Sequence, residues 1–298
     1  MKKFIMLIGP SGSGKSTWAD TYINIYHNTV IVSSDRIRYE LYGDESIQTN
    51  PQEVFRIARE RTLFWLEKGM NVIFDATNLS LKDRRTTLEC LKKFELHRIA
   101  MVFAIPYYRC VENQLKRSRK VDSIVIDCQI KKFQIPVESE NFDETYFVRD
   151  DSCIDDFGKE VFEKVSDFDQ MNSHHSLKLL DHCLAAAQNL PFTVSCDSEL
   201  FQATATHDFG KAYTQIFFDL KGNPSEDAHY YGHDNYGAYL YCCCAKETPN
   251  LYVAQLINYH MIPYFTKTSK SQEKWRKRLG NKLWNDILTL NAADKRAK

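Results

Sequence analysis

The chain has 298 residues with 39 Lys and Arg against 39 Asp and Glu, so its formal charge is zero. Neutrality excludes indiscriminate coating of long duplex DNA, and 43% apolar with 26% charged residues excludes disorder and fibrous repeats. The length suits two domains of ordinary size.

Residues 3–8, "KFIMLI", form an apolar run that stops at a glycine, as a buried parallel strand does, and "KSTWADTYINIY" after it has helical composition. The run is too short for a signal peptide, and no later stretch reaches the ~20 apolar residues of a membrane span, which predicts a cytoplasmic protein with no membrane contact. Between strand and helix lie Gly9, Pro10, Ser11, Gly12, Ser13, Gly14, Lys15, Ser16 and Thr17, which fit G-x-x-x-x-G-K-[ST]. In such a loop glycines let backbone N–H groups wrap a triphosphate, Lys15 neutralises its outer phosphates and Ser16 ligates magnesium, so ATP or another NTP with Mg is the expected cofactor.

A phosphate acceptor is then sought at the ends of the following strands. After "TVIVSS" comes "SDRIRYELYG", in which Asp35 and Arg38 share a helix face: Asp35 can take a proton from an attacking hydroxyl and Arg38 can hold an acceptor phosphate. After "NVIF" come Asp75, Thr77 and Asn78, followed by Arg84 and Arg85; Asp75 can orient water or metal while Thr77 and Asn78 can hydrogen-bond substrate or the Asp35 region. "RIAMVFAI" reads as another buried strand, and "CVENQLKRSRKV" as a basic helix whose Arg117 and Arg119 form a lid over the phosphates.

Together G-x-x-x-x-G-K-S-T-W, S-D-x-x-R, D-A-T-N and R-x-R-x-V resemble the phage-type polynucleotide 5′-kinase family over residues 1–148. The resemblance implies an α/β P-loop domain in which Asp35 is the general base for a 5′-hydroxyl, Arg38 contacts the acceptor's phosphate and Arg117 contacts the donor. Asn113-Gln114 stands where relatives often carry Arg-Asn, and Asp122 replaces a frequent proline.

The boundaries expected are a kinase domain at 1–150, with its last strand around Tyr146 to Val148, an acidic connector at 151–167, and a helical domain at 168–298. In "SLKLLDHCLAAAQ" Leu177, Leu180, Leu184 and Ala187 form the expected buried stripe. The nine cysteines are scattered without Cys-x-x-Cys pairs, and three of them, Cys242 to Cys244, are consecutive; on a helix these point about 100° apart and cannot converge on one ion.

The helical half contains His175, His182, the doublet His207-Asp208, Lys211, His229, His233, His260 and Asp294. Imidazole and carboxylate donors suit Mn, Ni, Co, Fe or Zn. The ordered set "HHSLKLLDHCL", "THDFGK", "GHDNYGA" and "LNAAD" resembles the HD phosphohydrolase superfamily, in particular the HD module of bacterial tRNA nucleotidyltransferases. That implies an all-α domain in which His182, His207, Asp208 and Asp294 bind a first metal and His233 and His260 serve a second metal or the substrate phosphate. Lys211 would neutralise that phosphate, with His175 and His229 as further candidate members.

A 5′-hydroxyl kinase joined to a metal phosphohydrolase suits broken RNA, whose ends often carry a 5′-hydroxyl and a 2′,3′-cyclic phosphate. Bifunctional enzymes of this kind form a family with the two modules in the reverse order. The implied partners are nucleic-acid ends, RNA before DNA, with an RNA ligase acting in trans and self-association left open. Two alternatives stand beside this reading: a small-molecule or nucleotide kinase fused to an HD nucleotidase or cyclic nucleotide phosphodiesterase, and a nucleotide-gated regulatory protein with a vestigial HD fold.

Overall fold

The computed structural model describes all residues except Gln48, residues 117–119, His174, His175 and Lys298. The chain divides into two compact units, Met1–Gln129 with Glu140–Arg149, and Ile130–Ser139 with Asp150–Lys298.

The first unit is built on five parallel strands: β1 (Lys2–Ile8), β2 (Thr29–Ser33), β3 (Asn71–Asp75), β4 (Leu96–Ala104) and β5 (Glu144–Arg149), in the order β2-β3-β1-β4-β5. The continuous apolar run of β1 puts it in the interior, where Phe4 to Ile8 are buried; β5 at the edge is only half-buried. Helices α1 (Lys15–Ile25), α2 (Ser34–Tyr42), α3 (Pro51–Glu67), α4 (Leu81–Cys90), α5 (Tyr107–Leu115) and α6 (Ser123–Ile130) connect the strands. Ile5, Leu7, Ile73, Ile99 and Phe103 pack with Ala19 of α1, and Trp18 meets Phe103 edge-on, so the helix that starts at the phosphate loop is anchored to the sheet.

One ion pair braces the loop after β3. Arg84 and Glu140, both fully buried, pair in two-pronged fashion at 2.7 and 2.9 Å. The remaining Arg84 nitrogen donates to the carbonyls of Asn78 and Leu79 at 3.2 and 3.1 Å. A buried charge pair with its remaining hydrogens satisfied is costly to break from one side.

The second unit is mainly helical. After β5 the residues expected as an acidic connector are instead a short 3-10 turn at Asp151–Cys153 and helix α7 (Ile154–Ser166). Phe157, Val161 and Val165 recur at helical spacing and are buried, while Asp155 and Asp156 in the first turn favour the helix N-terminus. There follow α8 (Leu179–Gln188), α9 (Glu199–Thr206), α10 (Lys211–Thr214), an antiparallel hairpin of β6 (Ile216–Phe218) and β7 (Pro224–His229), then α11 (His233–Cys244), α12 (Leu251–Tyr259), α13 (Ile262–Phe265), α14 (Ser269–Leu279) and α15 (Asn281–Asp294). Helices α8, α9, α11, α12 and α15 pack on one another.

The buried stripe of α8 differs in phase from the expected one. Leu179, His182, Cys183, Ala186 and Ala187 face inward, and Leu184 is exposed. His182 lies on this inner face, buried among small and apolar residues. The segment Ile130–Ser139 belongs to this unit too: Asn258 of α12 accepts from Ile135 N–H at 2.8 Å and donates to the Phe133 carbonyl at 3.1 Å, while Tyr259 and Gln255 donate to the carbonyls of Ile135 and Pro136. Phe133 meets Tyr239 edge-on, 5.1 Å between rings. Cys242 and Cys243 are buried in α11, Cys244 is partly buried, and none of the described cysteines forms a disulfide. Among the described residues no helix is long and apolar enough to cross a membrane.

Glu140→Ala should destabilise the protein by about 3–5 kcal/mol, because it strands the Arg84 charge. In urea unfolding, Arg84→Met with Glu140→Met should recover most of that loss.

Candidate functional site

In the first unit the phosphate loop leaves β1 at Gly9, whose N–H donates to the Thr77 carbonyl at 3.0 Å, and enters α1 at Gly14. Gly12 has φ +83°, and a Cβ there would lie 2.2 Å from the Cys110 carbonyl oxygen, so no side chain fits. Lys15 is buried, with Nζ donating to the Pro10 carbonyl at 2.7 Å. Ser16 Oγ donates to Asp75 Oδ2 at 3.0 Å, which ties the hydroxyl expected at magnesium to the end of β3. Burial pushes the Asp75 carboxyl above its usual range, against the pull of Lys15 and of the Ser16 hydroxyl.

These groups line a cavity of about 390 Å³ together with Asp35, Arg38, Thr77, Gln114, Lys120 and Gln129. Ser11, Gly12, Gly14, Lys15 and Ser16 face it, Gly9 and Ser13 sit behind them, and Thr17 points outward from α1. Arg38 is buried and holds Asp35 Oδ1 at 2.6 Å across one turn of α2, leaving the aspartate half-exposed. Arg38 Nε is buried without a hydrogen-bond partner, a donor suited to an incoming anion.

Asn78 departs from its expected substrate-binding place. Its amide turns inward and donates to the Leu7 carbonyl at 2.7 Å, so it closes the gap between strand ends. Arg117 and Arg119, the expected lid arginines, lie outside the described residues.

Gln129 of this cavity was missed in the sequence, and Asn113, read there only as a departure from the family pattern, braces the loop from outside the cavity lining. Gln129 accepts from Ser11 N–H at 2.7 Å and donates to Ser11 Oγ at 3.1 Å; Asn113 donates to the Gly12 carbonyl at 2.9 Å. Both brace the loop from far along the chain, a contact no local pattern encodes.

In the second unit the structure brings together His182 of α8, His207-Asp208 after α9, His233 of α11, His260 after α12 and Asp294 of α15. One ligand atom from each of His182, His207, Asp208 and Asp294 lies within 4.8 Å of the others, and the same holds for Asp208, His233 and His260. The Asp208 carboxylate is shared. Its Oδ2 faces His182 Nε2 and His207 Nε2, each at 3.4 Å, and its Oδ1 faces His233 Nε2 at 3.2 Å and His260 Nε2 at 3.4 Å. Asp294 Oδ1 adds contacts of 3.1 Å to His182 and 3.5 Å to His207.

The opposite edge of each ring is tied to a carbonyl. Nδ1 bonds to Ala297 O from His182 at 2.8 Å, and to Thr204 O, Tyr230 O and Ile257 O from His207, His233 and His260, each at 2.7 Å. A carbonyl only accepts, so each Nδ1 carries a proton, and a ring in its neutral form turns the lone pair of Nε2 inward. The Nε2 atoms of His207, His233 and His260 are buried with no hydrogen-bond partner. Bare lone pairs facing carboxylate oxygens repel unless positive charge lies among them.

Burial alone would lower the His182 pKa, but Asp208 and Asp294 override it and raise it to about 9. Burial would likewise raise the Asp294 carboxyl, yet the histidines draw it well below its ordinary range. The cluster demands cationic charge at its centre, and the N and O donor set fits a divalent transition metal.

Lys211 is buried, with Nζ 2.6 Å from Asp208 Oδ2 and donating to Gln170 Oε1 at 2.9 Å. Tyr264 donates to Asp294 Oδ2 at 2.8 Å. Gln170 and Tyr264 escaped the sequence reading because each meets its partner from far along the chain, 41 and 30 residues away. His229 stands apart from the metal-ligating groups, on β7, and His175 lies outside the described residues.

Residues 4–136 match the family model described as an AAA domain. The chain is 26% identical over 180 residues to the transcription factor bHLH140 of Arabidopsis thaliana, covering 57% of this chain but 18% of that protein. It resembles part of the Pnkp1/Rnl/Hen1 RNA repair complex, with 24% identity, 51% of this chain and 53% of that one covered, and a TM-score of 0.41. A fungal RNA kinase gives 19% identity, 56% and 89% coverage and a TM-score of 0.37. A gluconokinase from Sinorhizobium meliloti 1021 gives 16%, 50% and 83%, and 0.36. The chain thus spans under a fifth of its curated relative and about half of the repair-complex chain. The first unit carries its phosphate loop at the end of the central strand of a parallel α/β sheet, an arrangement for which ATP and Mg are the implied cofactors.

Lys15→Ala should weaken ATP binding at least about tenfold through loss of a charge-assisted bond. Gly12→Ala should do so comparably by displacing the loop from Cys110. Titration calorimetry with ATP and magnesium measures both.

Proposed function

We propose that this chain is a two-site enzyme that heals nucleic-acid ends, RNA above all. The P-loop unit transfers the outer phosphate of ATP to a 5′-hydroxyl, and the helical unit, an HD phosphohydrolase domain, removes a 3′, 2′ or 2′,3′-cyclic phosphate. The observation that carries the second activity is the convergence of four Nδ1-tethered imidazoles on one shared carboxylate beside an open cavity.

At the first site Asp35, half-exposed at the cavity, accepts the hydroxyl proton, while Arg38 holds the acceptor's phosphate one helical turn away. Lys15 and the lid arginine Arg117 offset the charge of the transferring phosphoryl group, and Ser16 and Asp75 hold magnesium. This step needs no covalent intermediate, only orientation and charge.

At the second site His182, His207, Asp208 and Asp294 would hold one metal, and Asp208, His233 and His260 a second. A metal bound there supplies Lewis acidity toward phosphate and lowers the pKa of water. Lys211 lines the cavity and sets positive charge against the substrate phosphate, and Tyr264 holds the outer oxygen of Asp294 so that the other faces the histidines. An RNA ligase would complete the joining in trans.

A product analysis on RNA bearing a 5′-hydroxyl and a 2′,3′-cyclic phosphate, with ATP, magnesium and manganese or nickel, reads both sites. Asp35→Ala should abolish 5′ transfer and spare removal of the cyclic phosphate; Asp208→Ala should do the reverse. Transfer to mononucleosides or small metabolites alone would favour the small-molecule reading, toward which the zero net charge leans, and would refute end healing.

Asp208 is common to both metal-ligating groups, whereas Asp294 belongs to one. Manganese titration should therefore show Asp208→Ala losing binding at both groups and Asp294→Asn weakening only one.

A further inference from the structure

The cavity above Asp208 is larger than a phosphate requires. Its volume of about 710 Å³ lies within the roughly 300–1,000 Å³ of sites that take whole small molecules. Its floor is charged, with Asp208, Asp294 and Lys211, and its rim is aromatic.

On one side the end of β7 and the turn after it supply His229 and Tyr231, whose rings stack 5.5 Å apart at 8°. His229 is held by Ser225 Oγ at 3.2 Å, so the ring under Tyr231 is fixed in place. Helix α13 supplies Phe265 to the same cavity. Tyr231 is 36% exposed and Phe265 73% exposed, so neither ring is committed to the core. Flat apolar faces open to water above a phosphate-binding floor match the two halves of a nucleotide, a π-faced base and an anionic ester.

We propose that this rim is a nucleobase platform: the base of the terminal nucleotide stacks on Tyr231 and Phe265 while its 2′- or 3′-phosphate reaches Lys211 and the Asp208 cluster. The proposal rests on the phosphohydrolase reading of this site and narrows its substrate to nucleotides with any base, since stacking reads a π-face and no hydrogen-bonding edge. It also assigns His229 a place as the supporting ring of the stack.

The test is a fluorescence titration of the full chain, loaded with manganese and carrying Lys15→Ala to weaken nucleotide binding at the phosphate loop, with ethenoadenosine 2′-monophosphate as probe. Stacking should quench the probe. Phe265→Ala and Tyr231→Ala should each weaken its binding on the order of tenfold. Glycerol phosphate, which has no base, should compete at least about tenfold more weakly than adenosine 2′-monophosphate and be insensitive to both substitutions. Circular dichroism checks that the variants fold, as the exposure of both rings predicts.

Unchanged probe binding in the doubly substituted protein overturns the proposal, as does equal affinity for probe and glycerol phosphate, including binding of neither. Failure of the phosphohydrolase reading is a separate result: probe quenching retained, with no metal-dependent phosphate release that Asp208→Ala abolishes.

Discussion

Burying the Asp208 carboxylate among four imidazoles is the constraint around which the helical unit is arranged. An isolated buried carboxylate costs several kcal/mol, and here the cost is offset by Lys211 and by whatever positive charge the histidines or a metal provide. The offset works only if the rings are oriented. Three of the four are oriented locally, since His207, His233 and His260 each bond the carbonyl three residues back, two of them at helix ends where carbonyls lack partners. His182 is held from a distance, by the Ala297 carbonyl. Two helix ends and one helix start therefore serve as mounts for ligands, and helix packing supplies the fourth mount.

The phosphate loop works by the opposite arrangement. Its glycines, lysine and serine are contiguous, and what the fold adds is bracing: Gln129 and Asn113 from later helices, Asp75 from a neighbouring strand, and the Arg84–Glu140 pair behind the loop after β3. Arg84 could be read as an acceptor-site residue on position alone; its complete burial makes it a strut that holds the Asn78 and Leu79 carbonyls.

Where the structure departs from expectation, a side chain's environment overrules a composition rule. The residues between 151 and 167 are acidic enough to read as a connector, yet Phe157, Val161 and Val165 at helical spacing make them a packed helix. In α8 the leucines suggested one stripe, and the requirement that His182 face inward with Cys183 and Ala186 set another, leaving Leu184 in water. Asn78, polar and next to a strand end, looked like a substrate ligand and instead satisfies the Leu7 carbonyl, because an unpaired backbone group there would be costly.

The sequence by itself determined the phosphate loop, the strand-helix alternation of the first unit, and the set of histidines and aspartates that the fold gathers in the second, because glycine spacing, apolar runs and donor types are local properties of the chain. Only the tertiary structure decided which carboxylate is shared, which nitrogen of each histidine faces it, that Gln170, Tyr264 and Gln129 support the two sites, and that an aromatic rim stands over the second. Those are facts about groups tens to hundreds of residues apart, and they exist only once helix packing and backbone carbonyls have fixed the direction of each side chain.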